Sequence, residues 1–490
     1  MQAERSDASL TAGIDLGTQG VRVTLLEEDG RVASSGSAPL VSTRADGSKH
    51  EQDPEAWWKS VGEASRWAMG AVAGRKIAGL AICSTSGTVV LTGDAGKPLT
   101  PALMYDDSRA EEEARLAQEA GEDVWSSLGY RMRTSFGLPK LIWLLRSGAG
   151  GARLMHSADF VASRLAGEPV DTDWSHALKT GYDLVGERWP VEVLERLEVP
   201  VEILPSVVRP GSVIGEVDER AASHTGFPAG TPIRAGMTDS CAAQIAAGAL
   251  EEGRWNSVLG TTLALKGVTR ELLRDPNGVV YSHRHPDEGW LPGGASNIGA
   301  GVLSATFPDR ELQELDEKAR ERGPASALIY PLTSKGERFP FASPDARGFE
   351  LEEPPDEVDR YRAILEGVAF VERLCFAYLE SLEATVSGPI ALTGGGARSQ
   401  VWSQLRADVL GHSVFVPRSS EPAVGMAILA CAGKSSVAAT ASRMSRAETW
   451  FEPDKENADR LAGNFDRFAA ALVERGYITD DLARRARISP

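Results

Sequence analysis

The chain has 490 residues, of which 42% are hydrophobic and 25% are charged. That length exceeds what one hydrophobic core usually supports, so two or more domains are expected. The net charge of −17 argues against general binding to nucleic acids or anionic membranes, because like charges repel. It leaves open an anionic small-molecule ligand, which needs only a local group of N–H donors.

The cysteines and the N-terminus both predict a cytoplasmic protein. The cysteines lie far apart and form no C-x-x-C pair; they are Cys83, Cys241, Cys375 and Cys431. This spacing favours reduced thiols over a disulfide framework or a zinc site. Residues 1–10 are polar and lack the apolar segment of a signal peptide, and no apolar run has membrane-spanning length.

In chain order, the first predicted element is a β-hairpin. Thr11–Leu25 has the pattern of a strand, a tight turn and a second strand. The turn, Gly17-Thr18-Gln19-Gly20, offers backbone N–H groups that could form an anion nest. A hairpin without a ligand explains the turn equally well, so both interpretations stay open.

Four features follow between residues 53 and 109. Asp53-Pro54-Glu55 predicts a helix start, and Ile77–Cys83 predicts a buried strand. Ser84–Thr88 is a run of small hydroxyl residues that either binds a polyol or forms a simple turn. Tyr105–Arg109 holds two acids and an arginine beside an aromatic ring. These groups either bind a sugar or form a helix cap with an ion pair.

Gly236–Ser240 stands at a predicted strand-to-helix turn. A short apolar strand at 232–235 precedes it, and a helix follows from Cys241. Asp239 is therefore expected at the carboxyl edge of a sheet, where open α/β sheets bind ligands. In isolation the motif favours the alternative, in which Asp239 only caps the helix.

The second half of the chain repeats a feature of the first. After a candidate domain boundary at Glu251-Glu252-Gly253, the run Leu259-Gly260-Thr261 matches Leu16-Gly17-Thr18, which suggests an internal duplication. Further on, Gly394-Gly395-Gly396 separates a predicted strand from a helix over 401–410. Such a turn lets nucleotide phosphates approach backbone N–H groups.

Two further helices are predicted to belong to the core. Residues 360–383 carry an apolar stripe at helical spacing, formed by Ile364, Val368, Val371, Cys375, Tyr378 and Leu382. Another helix opens at Glu421-Pro422, and Gly425 within it allows close packing.

Taken together, these motifs resemble the FGGY family of carbohydrate kinases, which has the actin-like ATPase fold. The resemblance covers nearly the whole chain, and the motifs occur in the family's order. They are Gly13–Thr18 (first phosphate motif), His50–Trp58 (the Glu-Gln-Asp-Pro segment), Gly236–Asp239 (catalytic Asp), Leu259–Thr262 (second phosphate motif) and Thr393–Ser399 with Trp402 (adenosine motif).

The resemblance implies an α/β fold with two actin-like (ribonuclease H-like) domains flanking a catalytic cleft. Residues 1–250 would form the N-terminal FGGY domain and residues 251–490 the C-terminal one. It also implies ATP and Mg²⁺, with transfer of the γ-phosphoryl group to a sugar hydroxyl. Partners would be a small-molecule sugar and ATP, with no nucleic acid and no membrane; a homodimer stays open.

Roles for individual residues follow from the resemblance alone. Asp239 would be the general base, and Asp15 would hold Mg²⁺ directly or through water. The residues that would bind the nucleotide phosphates are Gly17, Thr18, Gln19, Gly260, Thr261 and Thr262. Those that would line the adenosine pocket are Gly395, Gly396 and Ala397.

The acceptor is predicted from two segments, Thr85–Thr88 and Met104–Ala110. They resemble a smaller group, the plant and cyanobacterial D-ribulose kinases, and this favours conversion of D-ribulose to D-ribulose 5-phosphate. The predicted sugar-binding residues are Thr85, Ser86, Tyr105, Asp107 and Asp239. Xylulose, L-ribulose and glycerol are alternative acceptors, and a non-catalytic nucleotide switch or sugar sensor is the alternative from another class.

Overall fold

The computed structural model describes residues 9–40, 43–94, 96–151 and 153–488. Residues 1–8, on which the prediction of an absent signal peptide largely rests, lie outside this part. The chain divides into two compact units. Unit 1 comprises Met1–Gly248, His283–Glu288 and Ser419–Ser445, and unit 2 comprises Ala249–Ser282, Gly289–Arg418 and Arg446–Pro490. The predicted division into residues 1–250 and 251–490 stays a prediction. The two units differ from it because His283–Glu288 and Ser419–Ser445 belong to unit 1.

The strands are β1 Leu10–Leu16, β2 Gly20–Leu26, β3 Val32–Pro39, β4 Thr43–Asp46, β5 Lys49–Gln52, β6 Ile77–Ser84, β7 Val89–Thr92, β8 Ala102–Leu103, β9 Arg153–His156, β10 Thr172–Asp173, β11 Val207–Val208, β12 Val213–Glu216, β13 Pro232–Arg234, β14 Trp255–Leu259, β15 Leu263–Gly267, β16 Tyr281–Arg284, β17 Trp290–Ser296, β18 Ile329–Tyr330, β19 Phe349–Glu350, β20 Ile390–Thr393, β21 Val414–Pro417 and β22 Ala447–Phe451.

The helices are α1 Pro54–Gly70, α2 Glu111–Ala120, α3 Glu122–Ser127, α4 Gly137–Arg146, α5 Ser157–Ala166, α6 Trp174–Leu178, α7 Val191–Arg196, α8 Glu219–Thr225, α9 Asp239–Ala246, α10 Gly301–Thr306, α11 Leu312–Arg322, α12 Glu357–Ser381, α13 Gln400–Leu410, α14 Pro422–Ala432, α15 Val437–Met444, α16 Lys455–Glu474 and α17 Asp480–Arg485. Short 3-10 helices lie at Val201–Ile203 and Gly395–Arg398.

The main sheet of unit 1 is centred on β1. Its strand order is β12-β13-β6-β1-β2-β3. β1 is antiparallel to β2 and parallel to β6, and β6 is also parallel to β13. Every residue of β1 is buried, as expected for a strand covered on both faces. A second sheet of unit 1 has the order β4-β5-β8-β7-β9.

The main sheet of the second half has the order β16-β17-β15-β14-β20-β21-β22. β14 is antiparallel to β15 and parallel to β20. β20 is parallel to β21, and β22 closes this side antiparallel to β21. The central hairpin β14–β15 thus occupies the place that β1–β2 has in unit 1.

Local signals start the helices that flank these sheets. Asp53 accepts a hydrogen bond from the backbone N–H of Glu55, and Pro54 occupies the first helical position of α1. Both features fit the predicted helix start. α13 ends at Gly411, which adopts the left-handed conformation with φ +69°, as expected for a C-terminal cap.

Helix α14 packs directly against the centre of unit 1. A Cβ on Gly13 would lie 1.8 Å from the carbonyl oxygen of Ala423. A Cβ on Gly425 would lie 1.9 Å from the carbonyl oxygen of Ala242 in α9. Glycine at both positions therefore lets α14 approach β1 and α9 closely, as predicted for Gly425.

Each unit has its own hydrophobic core. In unit 1 the apolar faces of β1, β2 and α1 meet, with Trp57 fully buried. In unit 2 the core surrounds α12. The predicted stripe of α12 is largely buried, but Leu365, Phe370 and Phe376 on other faces are buried too. α11, α13, α16 and α17 pack around this helix, so it is enclosed rather than half exposed.

Within the described part of the chain, every helix is too short or too polar to span a membrane.

Candidate active site

Two carboxylates lie at one edge of the main sheet of unit 1. Asp15 is next to the end of β1, and Asp239 begins α9 just after β13. Both strands run parallel to β6, so their carboxyl ends meet at the same edge. Pairing continues past the strands, because Ser84 and Thr238 form a parallel bridge. The predicted strand, turn and helix around Asp239 are all present.

Asp239 is not the capping residue of its helix. The cap position is Thr238, whose side chain makes no cap hydrogen bond, and Asp239 is the first helical residue. One oxygen of Asp239 accepts a hydrogen bond from the backbone N–H of Ser240 at 2.6 Å. The side chain is half-buried. A partly accessible carboxylate at this position can accept a proton from a bound hydroxyl.

Asp15 is a buried acid in an electrostatically unfavourable place. It is only 4% exposed, and Arg22 Nη1 lies 3.5 Å from its Oδ2. Burial, followed by the charge of Asp239, raises the pKa of Asp15 to about 6. Two carboxylates that repel each other in this way would both be stabilised by a cation between them.

The predicted phosphate turn of unit 1 is held by a side chain from the Glu-Gln-Asp-Pro segment. The backbone N–H of Gly17 donates to the carbonyl of Gly20 at 3.0 Å. Gln52 Nε2 donates to the carbonyl of Thr18 at 2.7 Å, and Trp57 Nε1 donates to Gln52 Oε1 at 2.6 Å. Sequence analysis gave Gln52 no role, although its place in a recognised motif beside Trp57 was a signal.

A groove of about 930 Å³ adjoins this turn. Its lining residues are Gly17, Thr18, Gln19, Gly20, Val21, Arg22, Ser37, Ala38, Pro39, His50, Tyr105 and Asp106. The groove therefore brings the predicted phosphate turn together with Tyr105, one of the predicted sugar-binding residues. Thr85, Ser86 and Asp107 are not among its lining residues.

The hydroxyl run forms the turn between β6 and β7. Thr85 Oγ1 and Thr88 Oγ1 are 2.8 Å apart and satisfy each other. Ser86 Oγ is buried and has no hydrogen-bond partner among the described residues. Buried hydroxyls are normally paired, so an unpaired one is a candidate for a ligand contact.

Asp107 forms the ion pair that the sequence left open as an alternative. It is fully buried, and it accepts hydrogen bonds from the backbone N–H of His50 at 2.9 Å and from Arg109 Nη2 at 2.7 Å. Burial acts to raise the pKa of Asp107, but the bonds from Arg109 and His50 outweigh it and hold the pKa below its ordinary value. These partners shape the loop that carries Tyr105, which is 40% exposed.

The two predicted nucleotide motifs of unit 2 lie side by side. β14 and β20 are parallel neighbours, so the turns that follow them meet at one edge. A Cβ on Gly394, whose φ is +82°, would lie 2.6 Å from the carbonyl oxygen of Leu259 and 3.1 Å from the backbone nitrogen of Gly260. A Cβ on Gly395 would meet no atom within 4 Å. The edge therefore presents bare backbone beside open space.

A magnesium ion fits the donor set at the edge of unit 1. Among the described residues, no group of three or more His, Cys, Asp or Glu side chains could hold a metal ion. Mg²⁺ does not need one, because it commonly uses one or two carboxylates together with water and substrate phosphates. Asp15 would supply that carboxylate, and the nearby charge of Asp239, which raises the pKa of Asp15, makes a cation at this edge favourable.

Sequence analysis missed two buried histidine–aspartate pairs in unit 1. His176 Nδ1 lies 2.5 Å from Asp173 Oδ2, and His156 Nδ1 lies 2.7 Å from Asp159 Oδ2. Each pair is three residues apart, which places both side chains on one face of a helical turn. That spacing was the available signal.

Comparison with known proteins agrees with this architecture. The chain matches the models of the N-terminal domain (residues 10–246) and the C-terminal domain (residues 255–433) of the FGGY family of carbohydrate kinases. It is 30% identical to a xylulose kinase of Streptomyces rubiginosus over 96% of this chain and 98% of that protein. It is 26% identical to a gluconokinase of Bacillus subtilis, over 84% and 85% of the two chains.

The fold also matches solved structures. The crystal structure of a ligand-bound xylulose kinase from Lactobacillus acidophilus superposes with a TM-score of 0.87 at 20% identity, covering 96% of this chain and 98% of the other. The predicted two-domain α/β fold and the predicted resemblance are thereby confirmed. The chain belongs to the FGGY family of carbohydrate kinases, and it is a sugar kinase.

Proposed function

We propose that this kinase transfers the γ-phosphoryl group of ATP to a terminal hydroxyl of a ketopentose. The observation that carries this proposal is the pair Asp15 and Asp239 at one sheet edge, with the Gly17–Gln19 turn following the strand of Asp15. Such an edge offers a base for the acceptor and N–H donors for phosphate oxygens.

Asp239 acts as the general base in this proposal. Its half-buried carboxylate accepts the proton of the attacking hydroxyl as the bond to phosphorus forms. Phosphoryl transfer depends mainly on positioning and charge neutralisation, so one correctly placed carboxylate suffices as a base.

Asp15 would hold Mg²⁺ directly or through water. When bound, the metal neutralises phosphate charge and orients the nucleotide. The raised pKa of Asp15 supports this role, because an acid that is costly to ionise alone becomes favourable beside a cation.

The nucleotide phosphates are held by backbone N–H and hydroxyl groups of the predicted turns. The groups that would donate belong to Thr18, Gln19, Thr261 and Thr262. Gly17 and Gly260, whose N–H groups bond within their own turns, let the phosphates approach the backbone closely. The bare edge at Gly395, Gly396 and Ala397 takes the adenosine part. The proximity of Gly394 to Gly260 supports one continuous nucleotide site within unit 2.

D-ribulose is the first acceptor in this proposal. The support is the resemblance of Thr85–Thr88 to the D-ribulose kinases and the unpaired hydroxyl of Ser86. Tyr105 and Asp107 belong to the same predicted pocket. Tyr105 lines the groove, and Asp107 holds the loop that carries Tyr105 through its bonds with His50 and Arg109. D-xylulose is the second candidate, because several relatives carry the name xylulose kinase.

The test is ADP release with Mg·ATP in the presence of D-ribulose, D-xylulose, L-ribulose, gluconate or glycerol. We expect one ketopentose to have a kcat/KM at least tenfold above the others, a difference of about 1.4 kcal/mol in transition-state binding. A higher value for D-xylulose would replace D-ribulose without changing the reaction class.

A no-sugar control separates the kinase from a nucleotide switch. ADP release that no sugar stimulates, together with thermal stabilisation by Mg·ATP, would reject the kinase proposal in favour of the switch.

A further inference from the structure

A network of buried polar side chains lies next to the backbone that carries Asp239. Its members are Ser84, Ser157, Asp173, Ser175 and His176, and each is at most 2% exposed. Burying ionisable groups is unfavourable unless each one is paired and hydrogen-bonded. The network is well paired, which makes it rigid.

Asp173 is the centre of this network. Its Oδ1 accepts hydrogen bonds from Ser175 Oγ at 2.5 Å, from the Ser175 backbone at 2.7 Å and from the His176 backbone at 3.1 Å. Its Oδ2 faces His176 Nδ1 at 2.5 Å. These contacts cap the short helix α6, and by themselves they would indicate only a structural role.

Two contacts extend from α6 to the segment before Asp239. Ser175 Oγ accepts a hydrogen bond from the backbone N–H of Thr238 at 2.9 Å. His176 Nε2 lies 3.0 Å from Ser84 Oγ, and Ser84 pairs with Thr238 in the sheet. Both routes therefore end at Thr238, the residue immediately before Asp239.

The start of α9 depends on this external support. The Thr238 side chain makes no cap hydrogen bond, and its Oγ1 is buried without a partner among the described residues. A normal N-terminal cap fixes the first turn of a helix through its own side chain. Here Ser175 holds the cap residue instead.

We propose that Ser175, Asp173 and His176 are positioning residues for phosphoryl transfer, which hold the backbone of Thr238 and thereby set the place of the Asp239 carboxylate. The inference rests on the proposed role of Asp239 as the base. None of the three side chains contacts the reacting atoms, so they act through Asp239. A displacement of a catalytic group by about 1 Å can lower a rate about 100-fold.

The chain offers a matched control in the second buried pair. His156 and Asp159 have the same spacing and the same Nδ1–Oδ2 contact, and both are buried. The other hydrogen-bond partners of His156 are the hydroxyls of Thr172 and Thr180, at 3.0 and 2.9 Å, and its ring lies 5.7 Å from the ring of His176. Neither Ser175 nor Thr238 is among these partners. Loss of this pair should disturb the packing of unit 1 without releasing Thr238.

The experiment compares Ser175→Ala and Asp173→Asn with Asp159→Asn. For each, kcat, the KM for Mg·ATP, the KM for the preferred ketopentose and the melting temperature are measured. We expect kcat to fall about 10- to 100-fold for the first two variants with both KM values within about threefold of wild type. Asp159→Asn should lower the melting temperature while keeping kcat within about threefold.

A double-mutant cycle shows whether the effect passes through Asp239. In an Asp239→Asn background, Ser175→Ala should cause no further loss of the residual rate, because coupled residues are not additive. An equal loss in both backgrounds would overturn the inference.

Other outcomes also decide. If Asp239→Asn is inactive, the proposed base stands. In that case a wild-type kcat in Ser175→Ala, or a loss of kcat in Asp159→Asn as large as that in Ser175→Ala, overturns the positioning inference but not the base. Wild-type kcat in Asp239→Asn itself overturns the proposed base, and the inference with it. If Asp173→Asn does not fold, Ser175→Ala, which removes one oxygen atom, decides.

Discussion

The main sheets of the two units share a topology but differ in the residues at their strand ends. The orders β3-β2-β1-β6-β13-β12 and β17-β15-β14-β20-β21-β22 have the same succession of antiparallel and parallel pairs. If Leu16-Gly17 is aligned with Leu259-Gly260, Val258 takes the place of Asp15. The comparison teaches that one scaffold supports different roles through a few side chains.

Two buried charged sites, one in each unit, also differ. In unit 2, Arg406 and Glu372 are both fully buried, and two N–O contacts of 2.6 and 2.8 Å join them. In unit 1, Asp15 is buried beside another acid, with Arg22, 58% exposed, at 3.5 Å. The Arg406–Glu372 pair of unit 2 carries its own counter-charge, whereas Asp15 of unit 1, with a raised pKa, would be stabilised by a further cation.

Asp239→Asn should have the largest effect. The amide cannot accept the proton of the acceptor hydroxyl, so kcat should fall about 10²- to 10⁴-fold. Mg·ATP should still raise the melting temperature, because the substitution faces the acceptor. A kcat within threefold of wild type would show that Asp239 is not the base, and the sheet edge of unit 1 would then lose the role that distinguishes it from that of unit 2.

Arg406→Met should have the largest effect on stability. It leaves Glu372 buried and without its cation, so the free energy of unfolding in urea should fall by about 3–5 kcal/mol. The control is Arg406→Met combined with Glu372→Gln, which removes the stranded charge and should recover part of the loss. A loss below about 1 kcal/mol would show that the pair is not a main support of unit 2.

Asp15→Asn should raise the free energy of unfolding in metal-free buffer at pH 8, whereas Arg406→Met lowers it. The folded state raises the pKa of Asp15 from 3.8 to about 6, so it holds this proton more tightly than the unfolded chain. The charged form therefore lowers stability above pH 6, by about 3 kcal/mol, and this penalty fades as the pH falls toward 4.

The check is the free energy of unfolding of wild type and Asp15→Asn at pH 8 and pH 5, with EDTA. The variant should be more stable at pH 8, and its advantage should shrink at pH 5. A variant less stable than wild type at pH 8 would mean that Arg22 already compensates the charge. The same variant should be catalytically impaired if Asp15 holds Mg²⁺.

Thr18→Ala and Thr261→Ala should have smaller, matching effects. Each removes one hydroxyl from equivalent turns, so each should raise the KM for Mg·ATP about 3- to 10-fold, the value of one hydrogen bond. The KM for the sugar serves as the control and should not change. Wild-type KM values for Mg·ATP in both variants would contradict the placement of the phosphates at these turns.

Local signals made much of the fold predictable from the sequence. The cap at Asp53, the proline at 54 and the glycine at 411 act within a few residues, and the structure has the elements they predict. The burial of α12 on all faces was not predictable, because it depends on helices that approach from distant parts of the chain.

The candidate site divides in the same way. The strand ends of Asp15 and Asp239 followed from local pattern, whereas the contact of Ser175 with Thr238 joins residues 63 positions apart. The ion pair of Asp107 with Arg109 could be named as an alternative but not chosen. It depends on His50, which donates to Asp107, and on Glu51, which accepts from Arg109 at 2.8 Å, and both are brought there only by the folded sheet. The individual ligand roles stay predictions.

The return of helix α14 to unit 1 has a consequence for synthesis of the protein. β1 leaves the ribosome among the first residues, but Ala423, which covers it at Gly13, is made after most of unit 2. The first unit therefore cannot reach its final packing until most of unit 2 has been synthesised, although chains often fold from the N-terminus. Unit 2 must emerge while β1 still lacks its cover, so we expect chaperones to bind the nascent chain at this stage.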